Sequence, residues 1–137
     1  MRYLLTFSIS LLLLSAYAPA QQAEKAAEER APKIIGLLMY ADWCQSCKVL
    51  EPKLDKVKKD FKDKGIFFTR LDMTDEFTIY QSSLYASWVG FEEIFKENEG
   101  RTGYMLLIDP NSRKVVGKLV KTQTPDEIRA AIQAALK

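Results

Sequence analysis

Ile34-Ile35-Gly36-Leu37-Leu38-Met39-Tyr40 is a seven-residue stretch without a charge, and a helical pattern begins only a few residues beyond it. A continuous apolar run of this length suits a central strand covered on both faces. Ala41-Asp42-Trp43 connects it to a segment, about residues 44–64, in which Leu50, Leu54, Val57 and Phe61 recur at helical spacing. Pro52 falls inside that pattern, where a proline kinks a helix. A strand buried on both sides needs a layer above and a layer below, which confines the chain to an α/β arrangement.

The later segments extend this pattern. Gly65 ends the first helix and residues 66–71 give a second strand. Residues 75–89 read as a helix with Phe77, Tyr80, Leu84 and Trp88 along one side. Gly90 interrupts it, and Phe91, Ile94 and Phe95 start a second short helix. Residues 104–108 and 114–120 are strands joined by the turn Asp109-Pro110-Asn111-Ser112. The last helix opens at Thr124-Pro125-Asp126-Glu127 with a cap, a first-turn proline and a capping-box glutamate. Ile128, Ile132 and Leu136 form its apolar stripe. The order is β-α-β-α-β-β-α: a mixed four-stranded sheet with helices on both faces. Strands joined through helices are expected to be parallel, and the tightly joined last pair antiparallel.

The first twenty residues differ from the rest. A short basic start, an apolar run of about eleven residues and Ala18-Pro19-Ala20 match a cleavable leader, residues 1–20. The run is shorter than the ~20 residues of a spanning helix, so no stable membrane span is expected after cleavage. Residues 21–32 read as a polar tether, and 33–137 as the folded domain. The expected location is periplasmic or secreted, where disulfides persist. A net charge of +2 gives no reason to expect nucleic acid as a partner. The basic face of Lys53, Lys56 and Lys59 is diluted by Asp55, Asp60 and Asp63 and reads as a solvated surface. The chain is expected to be a monomer.

There are two cysteines and no histidine in 137 residues. Cys44 and Cys47 stand three apart where the first strand gives way to the first helix. The free N–H groups and the dipole of a helix start stabilise a thiolate. Residues three apart share a helix face, so the sulfurs can bridge. Cys44, at the exposed tip, is expected to attack, and Cys47, one turn in, to resolve a mixed disulfide. Lys48 adds positive potential and Asp42 opposes it. A structural disulfide would close too short a loop to stabilise much. A zinc site needs about four ligands, and one chain has no further Cys or His to supply them. No metal or other cofactor is therefore expected.

The stretch Tyr40-Ala41-Asp42-Trp43-Cys44-x-x-Cys47-Lys48, with Pro52 five residues on, resembles the thioredoxin superfamily. Met105-Leu106-Leu107-Ile108-Asp109-Pro110, Val116-Gly117 and Thr122-Gln123-Thr124-Pro125-Asp126-Glu127 support the resemblance, the last looking like periplasmic thioredoxin-like proteins. It implies a thioredoxin-like fold, Cys44 as nucleophile, Cys47 as resolving thiol in a Cys44–Cys47 redox disulfide, and Trp43 as a surface ring beside them. Gln45 and Ser46 would set the redox poise. Ser46, unlike the family's usual proline, offers an N–H and a hydroxyl near the thiolate, which implies a pair somewhat more oxidising than thioredoxin. Three departures stand out. Thr102-Gly103-Tyr104 replaces the family's Thr-Pro-Thr, whose cis-proline faces the cysteines; the resemblance therefore places Thr102 and Gly103 beside the pair, and the peptide at Gly103 is expected to be trans. Leu38 stands where thioredoxins carry a buried acid near the second cysteine. The segment 90–100 is about eight residues longer than usual, with Phe91 and Phe95 forming either a lid or recognition surface or an extra packed turn.

The expected function is thiol–disulfide oxidoreduction on protein substrates, cycling with a redox partner protein. Two other readings compete: a thioredoxin-like carrier holding Cu(I) between the two thiolates, and an interaction domain with little catalysis.

Overall fold

The structure, a computed structural model, describes residues 31–137. The leader and residues 21–30 of the tether lie outside the described residues. The elements follow in the order β1 (Ile34–Tyr40), α1 (Gln45–Lys58) with a 3-10 turn (Lys59–Phe61), β2 (Ile66–Asp72), α2 (Glu76–Val89), α3 (Glu92–Asn98), β3 (Tyr104–Asp109), β4 (Lys114–Val120) and α4 (Pro125–Ala135). They form a thioredoxin-like α/β fold with a four-stranded mixed sheet ordered β2-β1-β3-β4.

β1 is central. It pairs in parallel with β2 from Ile34 with Ile66 to Tyr40 with Asp72, and antiparallel with β3. β3 pairs antiparallel with β4. The parallel expectation for strands reached through helices therefore holds for β2 and fails for β3. α2 and α3 together carry the chain away from the sheet end where β2 stops and back to it. β3 consequently starts beside the end of β1, with Tyr104 opposite Met39, and runs the other way.

Alternation along the strands builds two cores. Ile34 and Leu38 of β1, with Met105, Leu107 and Leu119, meet Leu50, Leu54 and Val57 of α1 and Ile128 and Ile132 of α4. Leu37 and Met39, with Leu71, Leu106 and Ile108, meet Ala86 of α2 and Ile94 and Phe95 of α3 on the other face. Gly36 lets the layers close: a Cβ there would stand 2.8 Å from the Phe68 ring and 3.0 Å from the Met105 sulfur.

The caps follow from the sequence. Thr124 and Glu127 form the capping box of α4, and Asp75 with Thr78 that of α2, which ends at left-handed Gly90. Lys53 Nζ, projecting from α1, donates to the backbone oxygens of Lys121 and Gln123 at 2.6 and 2.8 Å, tying α1 to the turn before α4. α1 stops at Lys58, short of the expected residue 64. The chain leaves helical geometry at Lys62, and Asp63 and Gly65 take positive φ to reverse it.

Phe77, Tyr80, Leu84 and Trp88 do share one side of α2, and that side faces outward. The helix is seated instead by small residues. Ser82 is buried, its hydroxyl donating to the Asp72 oxygen and accepting from the Asp72 N–H, both at 2.8 Å. Ala86 is also buried. Small side chains bring the helix axis close to the sheet and leave no room there for large ones. The segment 90–100 is a packed helix, not a lid: Phe91, Ile94 and Phe95 all enter the second core.

Candidate functional site

The cysteine pair sits at the end of β1, where the strand's last turn delivers Cys44 to the N-cap of α1. Cys44 has extended backbone geometry, and its Sγ accepts the Cys47 N–H at 3.1 Å. Its carbonyl accepts from the N–H groups of Cys47 and Lys48. The sulfur thus takes the place of a capping oxygen, the strongest position on a helix for a developing negative charge. Both thiols are free.

Cys44 is not at an exposed tip, as the sequence suggested. It is 5% exposed. Its cover is the turn before β3, which arrives from far along the chain. Gly103 comes so near that a Cβ on it would lie 3.3 Å from the Cys44 Sγ and 2.5 Å from the Ser46 Cβ. Gly103 has φ +92°, and its N–H donates to the Met39 oxygen at 2.9 Å. All peptide bonds among the described residues are trans.

The two thiols are driven apart in acidity. Burial pushes Cys44 upward, but hydrogen bonds from the Cys47 thiol, the Thr102 hydroxyl and the N–H groups of Cys47 and Ser46 outweigh it, leaving Cys44 below the ordinary thiol range. Burial also pushes Cys47 upward, and its bond to Cys44 and the Cys44 charge add to this, to about 11. Neither Asp42 nor Lys48 figures among these leading causes; hydrogen bonds decide the matter. Cys47 is 0% exposed, and its single S–H hydrogen, which bonds the Cys44 thiolate, has the Met39 oxygen at 3.7 Å as its other acceptor. Leu38 lies in the first core among Leu50 and Leu54. No carboxylate figures among the leading causes acting on Cys47.

Around the pair, Gln45 and Lys48 are exposed, and Ser46 and Thr102 are half-buried. Trp43 is 55% exposed and held by its indole N–H, which donates to the Thr74 oxygen at 3.0 Å. The Thr74 hydroxyl accepts the Asp42 N–H at 3.0 Å and itself donates to Asp72. Thr74 is the residue the sequence reading missed. A threonine between Asp72-Met73 and the Asp75 cap is the signal that was available, since Thr side chains bond local backbone at such turns. Among the described residues, no group of three or more His, Cys, Asp or Glu side chains is placed to hold a metal ion. No helix among them is long and apolar enough to cross a membrane.

A profile of the family described as "Thioredoxin" matches residues 20–88, half of the chain, from the tether through β1, the cysteine pair and α2. The chain belongs to the thioredoxin family. Among curated thioredoxins, it is 38% identical over 45 residues to chloroplastic thioredoxin F of Oryza sativa subsp. japonica, covering 33% of this chain and 23% of that one. It is 31% identical over 48 residues to thioredoxin-T of Drosophila melanogaster, covering 34% and 31%. The matched segment thus spans less than a third of either relative. Among solved thioredoxin folds, a thiol:disulfide interchange protein of Chlorobium tepidum TLS superposes with a TM-score of 0.54 at 19% identity, over 81% of this chain and 85% of that one. The thioredoxin domain of a thiol-disulfide oxidoreductase from Bacteroides vulgatus gives 0.52 at 17% identity, over 80% and 84%. At these identities the likeness is one of fold.

Proposed function

We propose that this thioredoxin-family chain is a thiol–disulfide oxidoreductase that acts on protein disulfides outside the cytosol, with Cys44 and Cys47 as its redox pair. The observation that carries the reading is the split between two neighbouring thiols. Both are buried, but one is capped by a helix-start N–H and lowered in pKa, and the other is raised to about 11.

The chemistry balances as two thiol–disulfide exchanges. The Cys44 thiolate attacks one sulfur of a substrate disulfide, forms a mixed disulfide and expels the other substrate sulfur as a thiolate. Cys47 then loses its proton to solvent or to the departing thiolate and attacks the Cys44 sulfur. The second substrate thiol leaves, and Cys44 and Cys47 are oxidised to a disulfide by two electrons. A redox partner protein restores the dithiol, and the same steps reversed oxidise a substrate. A thiolate stabilised in the reduced form makes a pair more oxidising, and the Ser46 N–H, which the family's usual proline lacks, adds a bond to the Cys44 sulfur, so a potential above that of thioredoxin, about −270 mV, is expected. Action outside the cytosol is supported by the leader-like residues 1–20.

The test is trapping. A Cys47→Ser chain should accumulate mixed disulfides with client proteins that dithiothreitol releases, and a Cys44→Ser chain should trap none. Equal and ordinary titration of both thiols, with no bridge formed under any redox buffer, would overturn the proposal.

A further inference from the structure

Phe77, Tyr80, Leu84 and Trp88 are 68, 62, 54 and 92% exposed. At 100° per residue they fall within an arc of about 80° and run about 16 Å along α2. Among the fourteen residues of this helix only Glu76, in the first turn, is charged. A solvated helix face is normally charged; this one is aromatic and neutral, the composition of an interface centre.

We propose that this face joins two copies of the chain, with their α2 helices packed antiparallel about a two-fold axis at the level of residues 82–83. The spacing is self-complementary. Reversing the helix places Phe77 opposite Trp88 of the second copy and Tyr80 opposite its Leu84, so all four side chains find apolar partners under one symmetry operation. The stripe presents roughly 500–600 Å² per copy, close to the ~600 Å² a side of the smallest specific interfaces. Charge agrees with the same orientation. Asp75 and Glu76 mark the N-terminal end of α2. The Arg113 guanidinium lies at the other end, where a Cβ on Gly90 would stand 2.7 Å from it. Antiparallel pairing brings the acidic end of each copy to the basic end of the other and opposes the helix dipoles favourably. The assembly departs from the monomer expected from the sequence. It is independent of the redox reading, since it uses neither cysteine.

Sedimentation velocity of the full chain under reductant decides it. A mass of two chains is expected at tens of micromolar. Tyr80→Glu and Trp88→Glu should each raise the dissociation constant at least tenfold, with the far-ultraviolet spectrum and melting temperature of the monomer retained. Phe67→Glu, on the exposed part of β2, should leave the dimer intact. On dilution of the wild type, Trp88 emission should shift to the red. A single-chain mass at several hundred micromolar would overturn the proposal. So would a dimer indifferent to both α2 variants. A monomer that uses the stripe to bind neutral phosphatidylcholine vesicles, or a reduced client protein, would assign the face to that occupant and overturn it equally.

Discussion

Gly103 and Ser46 are packed so closely that no side chain fits between them: a Cβ on Gly103 would sit 2.5 Å from that of Ser46. The contact links the turn before β3 to the first turn of α1 and lays a backbone over the Cys44 sulfur. Glycine is required twice here, by the space and by the positive φ.

Gly103→Ala is therefore expected to cost about 1–3 kcal/mol, from the strained φ and the forced shift of Ser46. Iodoacetamide should then alkylate Cys44 faster, because the cover lifts. Gly103→Pro should cost more, since proline fixes φ near about −65° and removes the N–H that Met39 accepts. Thermal unfolding beside alkylation kinetics reads both effects. A variant as stable as the wild type and no more reactive would mean that the cover yields without strain.

The thiols should titrate in separate pH ranges. In the reduced protein, Cys44 alkylation should reach half its maximum at a lower pH than that of an unfolded cysteine, with Cys47 silent until the pH approaches about 11. The stability consequences have opposite signs. Cys44, lowered by folding, contributes stability that is complete above the unfolded thiol pKa and is lost as pH falls through its folded value. Cys47, raised by folding, contributes stability that is complete below the unfolded pKa and is lost as pH rises toward about 11. Denaturant melts from pH 8 to 11 should show the reduced wild type losing stability relative to Cys47→Ala.

Thr102→Val should raise the Cys44 pKa, because it removes a hydroxyl that bonds the thiolate while conserving volume. The midpoint of thiolate absorbance near 240 nm checks this. The redox potential should fall in parallel, as the reduced form loses part of its stabilisation. A lost potential shift with an unchanged midpoint would place the effect of Thr102 elsewhere.

Leu38→Asp places a carboxyl in the first core beside Leu50 and Leu54. A loss of about 3 kcal/mol or more is expected, from the removed Leu contacts and the buried polar group. If Cys47 deprotonation limits release of the mixed disulfide, the folded variant should resolve it faster than the wild type. Quenched-flow sampling of a preformed mixed disulfide measures that step directly.

Thr74→Ala should loosen Trp43, since the hydroxyl is lost that holds the Asp42 N–H and ties the turn to Asp72. In a Trp88→Phe background, Trp43 fluorescence anisotropy should drop while α2 stays folded under its Asp75 cap.

Local patterns reached far into this fold, and non-local ones marked where they stopped. The uncharged β1 run, the start of α1 and the Thr124–Glu127 box were legible because their causes lie within a few residues. The family resemblance set Thr102 and Gly103 beside the cysteines, but the burial of Cys44 beneath that turn was not legible, because the turn arrives from more than fifty residues away and its closeness depends on the whole fold. The direction of β3 was hidden for a similar reason, since it depends on where two consecutive helices return the chain. α2 misleads differently. It carries two apolar faces, and spacing alone identified the stripe of large residues without saying which way it points. Ser82 and Ala86, four apart and small, were the marks of the side that would be pressed against the sheet.

The carbonyl of Met39 receives both the Gly103 N–H and the Cys47 thiol. Oxidation withdraws the sulfur's hydrogen and leaves the amide without that competitor for the oxygen. The Gly103 amide is thereby a built-in reporter: its proton resonance and its exchange with solvent deuterium register whether the pair a few ångströms away is bridged.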